Sequence, residues 1–252
     1  MCTIGYCKAL KIIFKNRDKD SHVSSFEEIV VDSKIVAART IGADYYCWGI
    51  NRYGCSFVSA AVNTPKWGQL LYDGKVNEAE NQYQLENDGL INPMKVVSYM
   101  LSNVKHIDQW VGALEESKLE FKGYNLLIAD HLKAYHIELY KKKRVVREIN
   151  NNKIITNHFM QIDHGPKKNE DYPSTFRRLN YASNKVDNVN SIEDIKDIIK
   201  PKKEADAKQI WRDGVFKTIS SSILSYSKGR VIYSKELNES YSNVTIKPAG
   251  NT

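Results

Sequence analysis

Cys2 stands directly behind the initiator methionine, so loss of Met1 leaves one residue carrying both a thiol and a free α-amine. An ordinary thiol titrates near ~8.5 and an α-amine near ~7.7, so an amine held beside the sulfur can take its proton at neutral pH without a histidine. That pairing is a nucleophile with its own base, suited to acyl transfer through an acyl-enzyme. On residue 2 alone an ordinary cysteine near a terminus is the commoner case, and the residues that follow are what give Cys2 weight. Asn16, Arg17 and Asp18 offer an amide, a cation and a carboxylate in succession. Asn63, ahead of Thr64 and Pro65, sits where a strand should end and its amide is held. A fixed donor at a developing oxyanion typically contributes ~10² to 10³ in rate.

Histidine chemistry is the weaker reading. His158 follows Asn157 directly and is a candidate to face substrate, whereas His22, His106, His131, His136 and His164 are scattered, with no HExxH spacing and no zinc cluster. No metal and no cofactor is expected. The net charge of +7 includes the run Lys141 to Arg144, but that run joins two strand-like segments as a solvated turn. No recognition helix or RNA-binding signature accompanies it, so no nucleic-acid partner is expected. No apolar run approaches the ~20 residues of a membrane span, and Leu10 to Phe14 is too short for a secretory signal. Cys2, Cys7, Cys47 and Cys55 lack CxxC spacing and read as reduced thiols of a cytoplasmic protein.

These residues need a frame to position them. At 252 residues, 42% hydrophobic and 27% charged, the chain reads as one globular domain over residues 2–237 with a loose polar tail over 238–252. Alternation predicts strands at Thr3 to Cys7, Leu10 to Phe14, Ile29 to Val31 and Ile35 to Ala38. A hairpin follows, Tyr45 to Ile50 and Cys55 to Val62, turning at Asn51 to Gly54. Tyr72 to Gly89 reads as a polar, acidic surface excursion of lid type. Helices are predicted after Asn92-Pro93, at Asp108 to Ser117, at Pro173 to Ala182 and behind the capping box of Ser191 and Asp194. Further strands are predicted at Tyr124 to Ala129, Tyr135 to Tyr140, Val145 to Ile149, Lys153 to Thr156, Val215 to Tyr226 and Arg230 to Tyr233. Strands, then helices, then strands make the fold class α+β.

The chemical segments also occur in a known order. Met1-Cys2-Thr3, Lys15-Asn16-Arg17-Asp18, Gly49-Ile50-Asn51 with Gly54, Ala61-Val62-Asn63, Thr156-Asn157 and Ser174-Thr175-Phe176-Arg177-Arg178 together resemble the cysteine-type N-terminal nucleophile hydrolases: bile salt hydrolases, penicillin V acylases and penicillin acyltransferase-like proteins. The resemblance implies a four-layer αββα sandwich of two stacked antiparallel sheets covered by helices. It implies Cys2 as nucleophile, Asp18 as the acid that holds amine and sulfur, Asn63 at the oxyanion and Asn157 as a second active-site asparagine. Lys15 aligns with the family's basic residue near the thiol, with Arg17 as local rival. The family arginine falls at Thr175, which leaves Arg177 and Arg178 as alternatives for it.

The implied activity is an amidase acting on non-peptide C–N bonds of a small N-acyl substrate. An acyltransferase using the same residues and a non-catalytic binding protein on the same fold are the rivals, and a homo-oligomer is left open. Trp48, Trp67, His158 and Phe159, with Tyr45 and Tyr46, are the candidates to line an acyl pocket. The chain is shorter than bile salt hydrolases and its residues 72–89 are acidic, so bile acids are not the expected substrate.

Overall fold

The computed structural model describes residues 2–20, 27–168, 171, 173–212, 214–234 and 240–247. Among these the strands make two antiparallel sheets. One has the order β10 (Lys153–Ile155), β1 (Cys2–Cys7), β2 (Ile12–Asp20), β11 (Phe216–Ser225), β12 (Arg230–Ser234) and β13 (Ser242–Thr245). The other runs β3 (Glu27–Val31), β4 (Ile35–Thr40), β5 (Trp48–Asn51), β6 (Ser56–Ala61), β7 (Phe121–Ala129), β8 (Ala134–Lys141) and β9 (Lys143–Glu148).

The sheets stack because their strands are apolar on both faces. Ile4, Tyr6 and Ile13 of one sheet meet Val36, Trp48, Val58 and Leu127 of the other, closing a dry core between them. The outer faces are also apolar and therefore need cover. Phe57, Leu126, Ile128 and Ile137 pack under α3 (Pro93–Asn103) and α4 (Ile107–Glu116) through Leu101, Trp110 and Leu114. Ile12, Phe14, Ile223 and Ile232 pack under α5 (Pro173–Val186), α6 (Ile192–Ile199) and α7 (Glu204–Ile210) through Ala182, Ile195 and Ile210. Helices, sheet, sheet, helices is the four-layer sandwich that the family resemblance implied, within the α+β class read from the order of elements.

Local chemistry explains most boundaries. Asn92 accepts from Met94 N ahead of Pro93, and Ser191 and Asp194 form the reciprocal capping box of α6. Gly54 takes φ +82° in the β5–β6 turn, as a hairpin needs. At Gly5 the reason is space: it pairs across from Phe14, and a Cβ there would lie 2.1 Å from the ring.

Two expectations are corrected. Residues 72–89, read as a polar surface excursion, are on the surface but helical: they include α2 (Val76–Asn87), which pairs with α1 (Pro65–Tyr72) as a helical hairpin. Of α2 only Ala79 is buried, so its sequence carries no apolar stripe to announce a helix. The region after Asn238 is not all loose, because β13 pairs with β12 and Ile246 reaches the core between the sheets. Its strand is polar and exposed, held by backbone bonds that leave no pattern in side chains.

Candidate active site

β2 arranges the site by alternation alone. Its odd residues face the other sheet: Ile13 enters the core, Lys15 Nζ donates to Cys47 O (3.1 Å), Ser59 O (2.6 Å) and Ser59 Oγ (3.2 Å), and Arg17 pairs with Glu27 and Thr40. Its even residues face the helices: Asn16 Nδ2 donates to Ile199 O at 2.7 Å, and Asp18 Oδ2 lies 3.6 Å from Arg178 Nη1 of α5. The basic-Asn-x-Asp segment thus puts both of its cations on the side of the second sheet, with Cys2 and Arg17 opposite one another in register.

Cys2 opens β1 where three strands end together. Its backbone nitrogen donates to Asn157 Oδ1 at 2.8 Å, just past β10, and Asn157 Nδ2 donates to Ala61 O (2.6 Å) at the end of β6. Asn157 therefore ties the two sheets at Cys2. Its Oδ1 also accepts from Arg178 Nη2 (3.0 Å), and its own N–H donates to Thr175 Oγ1 (3.1 Å). Arg178 is wholly buried and also donates to Thr3 Oγ1 (2.8 Å) and Ser174 O (3.1 Å). Asp18 Oδ1 accepts from Thr218 Oγ1 at 2.7 Å.

The electrostatics single out one thiol of four. Burial pushes the Cys2 thiol up, and the Asp18 carboxylate adds to that, but the Lys15 charge, the positive N-terminus of the chain and a hydrogen bond from the Asp18 backbone outweigh them, so the net shift is downward. Burial raises Cys7 and Cys47, and pushes Cys55 up to about 12. All four cysteines are free. Asn63, between β6 and α1, is half-buried and its amide makes no hydrogen bond with the described residues.

Other expected residues fall elsewhere. Arg177 is exposed and lines a shallow surface hollow with Asn180 and Gln209, so Arg178 is the arginine brought to Cys2. Trp48 is core: it is fully buried and its indole donates to Glu27 at 3.1 Å. Phe159 is also interior, packed on Val62 and Ile162. Trp67 remains half-buried, 5.5 Å from Phe216 and 6.3 Å from Tyr83, ring centre to ring centre. His158 stacks on Phe176 at 4.7 Å with Nδ1 3.0 Å from Thr156 Oγ1.

Sequence reasoning missed Thr3, Thr175 and Thr218, which anchor Arg178, Asn157 and Asp18, because single threonines carry no spacing signal. It also missed Asn125 and Glu138. Asn125 Nδ2 donates to Thr156 O (3.1 Å) and His158 O (2.8 Å), while Glu138 accepts the N–H groups of Met160, Gln161 and Ile162 at 2.7–3.0 Å. These two buried side chains hold the segment that carries Asn157.

Three histidines make stability pH-dependent. Burial, then nearby cations, lowers His136 to about 3, and His158 and His164 to about 4. The unfolded chain takes up these protons near pH ~6.5 while the folded chain resists them, so their stabilisation is full above that pH and is lost on acidification. The melting temperature should be level above about pH 7 and fall between about pH 6.5 and 5, before carboxylates titrate. His164→Phe, which keeps the 3.6 Å stack on Tyr140, should make that fall shallower. A melting temperature constant through this window would contradict the assignment.

Two stacked antiparallel sheets between helical layers, with a cysteine opening the strand next to the edge of one sheet, make the fold of the N-terminal nucleophile hydrolases. The solved structures it resembles include a conjugated bile acid hydrolase from Clostridium perfringens (TM-score 0.55, 13% identity, 99% of this chain and 94% of that one). They also include a Caenorhabditis elegans ortholog of N-acylethanolamine-hydrolyzing acid amidase (0.58, 11%, 89% and 92%) and penicillin V acylase from Agrobacterium tumefaciens (0.54, 14%, 100% and 89%). No protein-family model and no curated protein matches the sequence. No helix among the described residues is long and apolar enough to cross a membrane.

Proposed function

We propose that this chain is an amidase that hydrolyses non-peptide C–N bonds of small N-acyl substrates through an acyl-Cys2 intermediate. The observation that carries the reading is the convergence on Cys2: its nitrogen is held by Asn157, and its thiol is the one of four drawn downward, under the charge of Lys15. Once Met1 is removed, that nitrogen is an α-amine and takes the thiol proton. The thiolate attacks the amide carbonyl carbon, and the oxygen becomes an oxyanion facing the uncommitted amide of Asn63. Collapse expels the amine, which leaves with the proton held by the Cys2 nitrogen. Water, deprotonated by the same nitrogen, then releases the acid. Arg178 and Asp18 act by holding Asn157 and the start of β1. The names of the structural neighbours, a hydrolase, an acid amidase and an acylase, favour the same reaction class.

Incubation with a panel of N-acyl amines and lactams, followed by mass analysis of the Cys2 peptide, should find an acyl adduct and the released acid. Cleavage of long peptides, with no adduct from any small amide, would refute the reading. Asn63→Ala should lower kcat/KM by about 10²- to 10³-fold with the melting temperature little changed. If instead stability falls and kinetics hold, Asn63 only ends a strand.

A further inference from the structure

Both sheets turn at the end of the sandwich farthest from Cys2. The registers of β1, β2, β11 and β12 bring the turns 8–11 and 226–229 together there, about 17 Å from Cys2 along β1. Those of β3 to β8 put the turns 32–34, 52–54 and 130–133 at one end of the other sheet. The two sets meet across the sandwich: Lys11 Nζ donates to His131 O at 3.2 Å, and a Cβ on Gly54 would lie 3.2 Å from Tyr226 O. The α3–α4 link joins them, since Cys55 Sγ donates to Lys105 O at 3.0 Å.

Most of the net charge gathers at this end. The five turns hold Lys8, Lys11, Lys34, Arg52, Lys133 and Lys228, and the link adds Lys105. Against these seven cations stand Asp32 and Asp130, a surplus of five where the whole chain has a net +7. Both carboxylates are engaged by backbone: Asp32 Oδ1 accepts the N–H groups of Lys34 and Ile35, and Asp130 Oδ1 those of Leu132 and Lys133, at 2.6–2.9 Å. Of the seven cations only Lys133 has a carboxylate partner among the described residues, Asp108 at 2.9 Å. Like charges are drawn together instead. Arg52 N donates to Lys34 O, and Arg52 and Lys105 lie 5.1 and 5.3 Å from the centre of the Tyr53 ring. A hydrogen bond from Arg52, then the charges of Arg52, Lys105 and Lys34, lower the Tyr53 phenol. Charge gathered in this way, without counter-ions from the fold, suits an anionic surface that meets it from outside.

An apolar tip stands among the cations. Leu132, between His131 and Lys133 in the β7–β8 turn, is 76% exposed, and Val31, which leads into the β3–β4 turn, is 53% exposed. A nucleic acid would use the cations but gives a projecting leucine nothing to enter, and Tyr53 is engaged by Arg52 and Lys105 rather than free to stack on a base. Anionic headgroups above a hydrocarbon layer accommodate both features.

We propose that this end of the sandwich docks peripherally on an anionic lipid bilayer, with the cations of the turns on the headgroups and Leu132 entering the interface. Docking requires nothing of Cys2, which lies at the opposite end of β1.

Cosedimentation with vesicles of phosphatidylcholine, alone or mixed with phosphatidylglycerol, tests this. Wild-type protein should partition onto the anionic vesicles about 10- to 100-fold more than onto neutral ones at low salt, and high salt should remove the difference. Lys34→Gln, Lys105→Gln and Lys228→Gln together should lower the anionic partition about 100-fold, at roughly 5-fold per lysine. Leu132→Ser should lower it about 3- to 10-fold and leave binding to a DNA duplex unchanged. All four side chains are exposed, so melting temperatures should hold, and both variants should form the same acyl adducts on Cys2 as wild type. Equal partition onto neutral and anionic vesicles, no partition at all, or a partition that the lysine changes leave in place overturns the docking. Tighter binding to the DNA duplex than to the vesicles, or an anionic partition that Leu132→Ser does not lower, assigns this end to a polyanion and overturns it as well.

Discussion

Cys2→Ala should abolish turnover and acyl-adduct formation while leaving the protein folded. The side chain is small and sits at the rim of the core between the sheets, so truncation removes little packing, on the order of 1 kcal/mol. No other cysteine can replace it, because Cys7, Cys47 and Cys55 are buried with thiols raised and lie away from any α-amine. The companion experiment keeps the sulfur and removes the amine: a noncleavable residue ahead of Cys2 turns its nitrogen into an amide that still donates to Asn157 but cannot accept a proton. That protein should be as inactive as Cys2→Ala. Full activity in the extended form would place the base elsewhere, and His158, held neutral near physiological pH by its low pKa, would be the group to test. Full activity in Cys2→Ala would remove the mechanism altogether.

How far the site could be read in advance depended on whether a residue's role lay in a strand or across the fold. Lys15, Asn16, Arg17 and Asp18 were legible as a motif, but the strand was expected to end at Phe14, and it is the run of β2 on to Asp20 that lets a period of two sort them by face. The choice between Arg177 and Arg178 was also latent in the chain: Arg178, Ala182 and Val186 recur every fourth residue, and that stripe is the buried face of α5. The helical hairpin of α1 and α2 was not legible, since α1 begins at a Thr64-Pro65 pair that also suits a strand end and α2 buries a single alanine. Long-range polar pairing was the least readable. Nothing local in Glu27 announces that it will serve Arg17, Trp48 and Ser220, or in Thr218 that it will meet Asp18 across 200 residues. Buried hydrogen bonds of this kind are fixed by topology, and sequence shows only that a polar group must find some partner.

Arg178→Met should be the most destabilising single change at the site. Its guanidinium has no exposure, and its donors go to Thr3, Asn157 and Ser174 while its charge faces Asp18, itself only 3% exposed. Methionine fits the space but takes the Arg178 charge away from a buried carboxylate. Breaking a buried pair from one side costs roughly 3–5 kcal/mol, much more than the pair is worth intact. For a chain of this size that is a fall in melting temperature of about 6–20 °C. Activity should fall further than stability accounts for, since Asn157 Oδ1 keeps only the Cys2 nitrogen as donor and its hold on β1 loosens. Asp18→Asn added to Arg178→Met removes the carboxylate charge that Arg178 faced and should recover stability, although not turnover. If the double variant is no more stable than Arg178→Met alone, the cost lies in lost packing and hydrogen bonds. In that case Arg178 is a neutral strut for Asn157, and its charge plays no part.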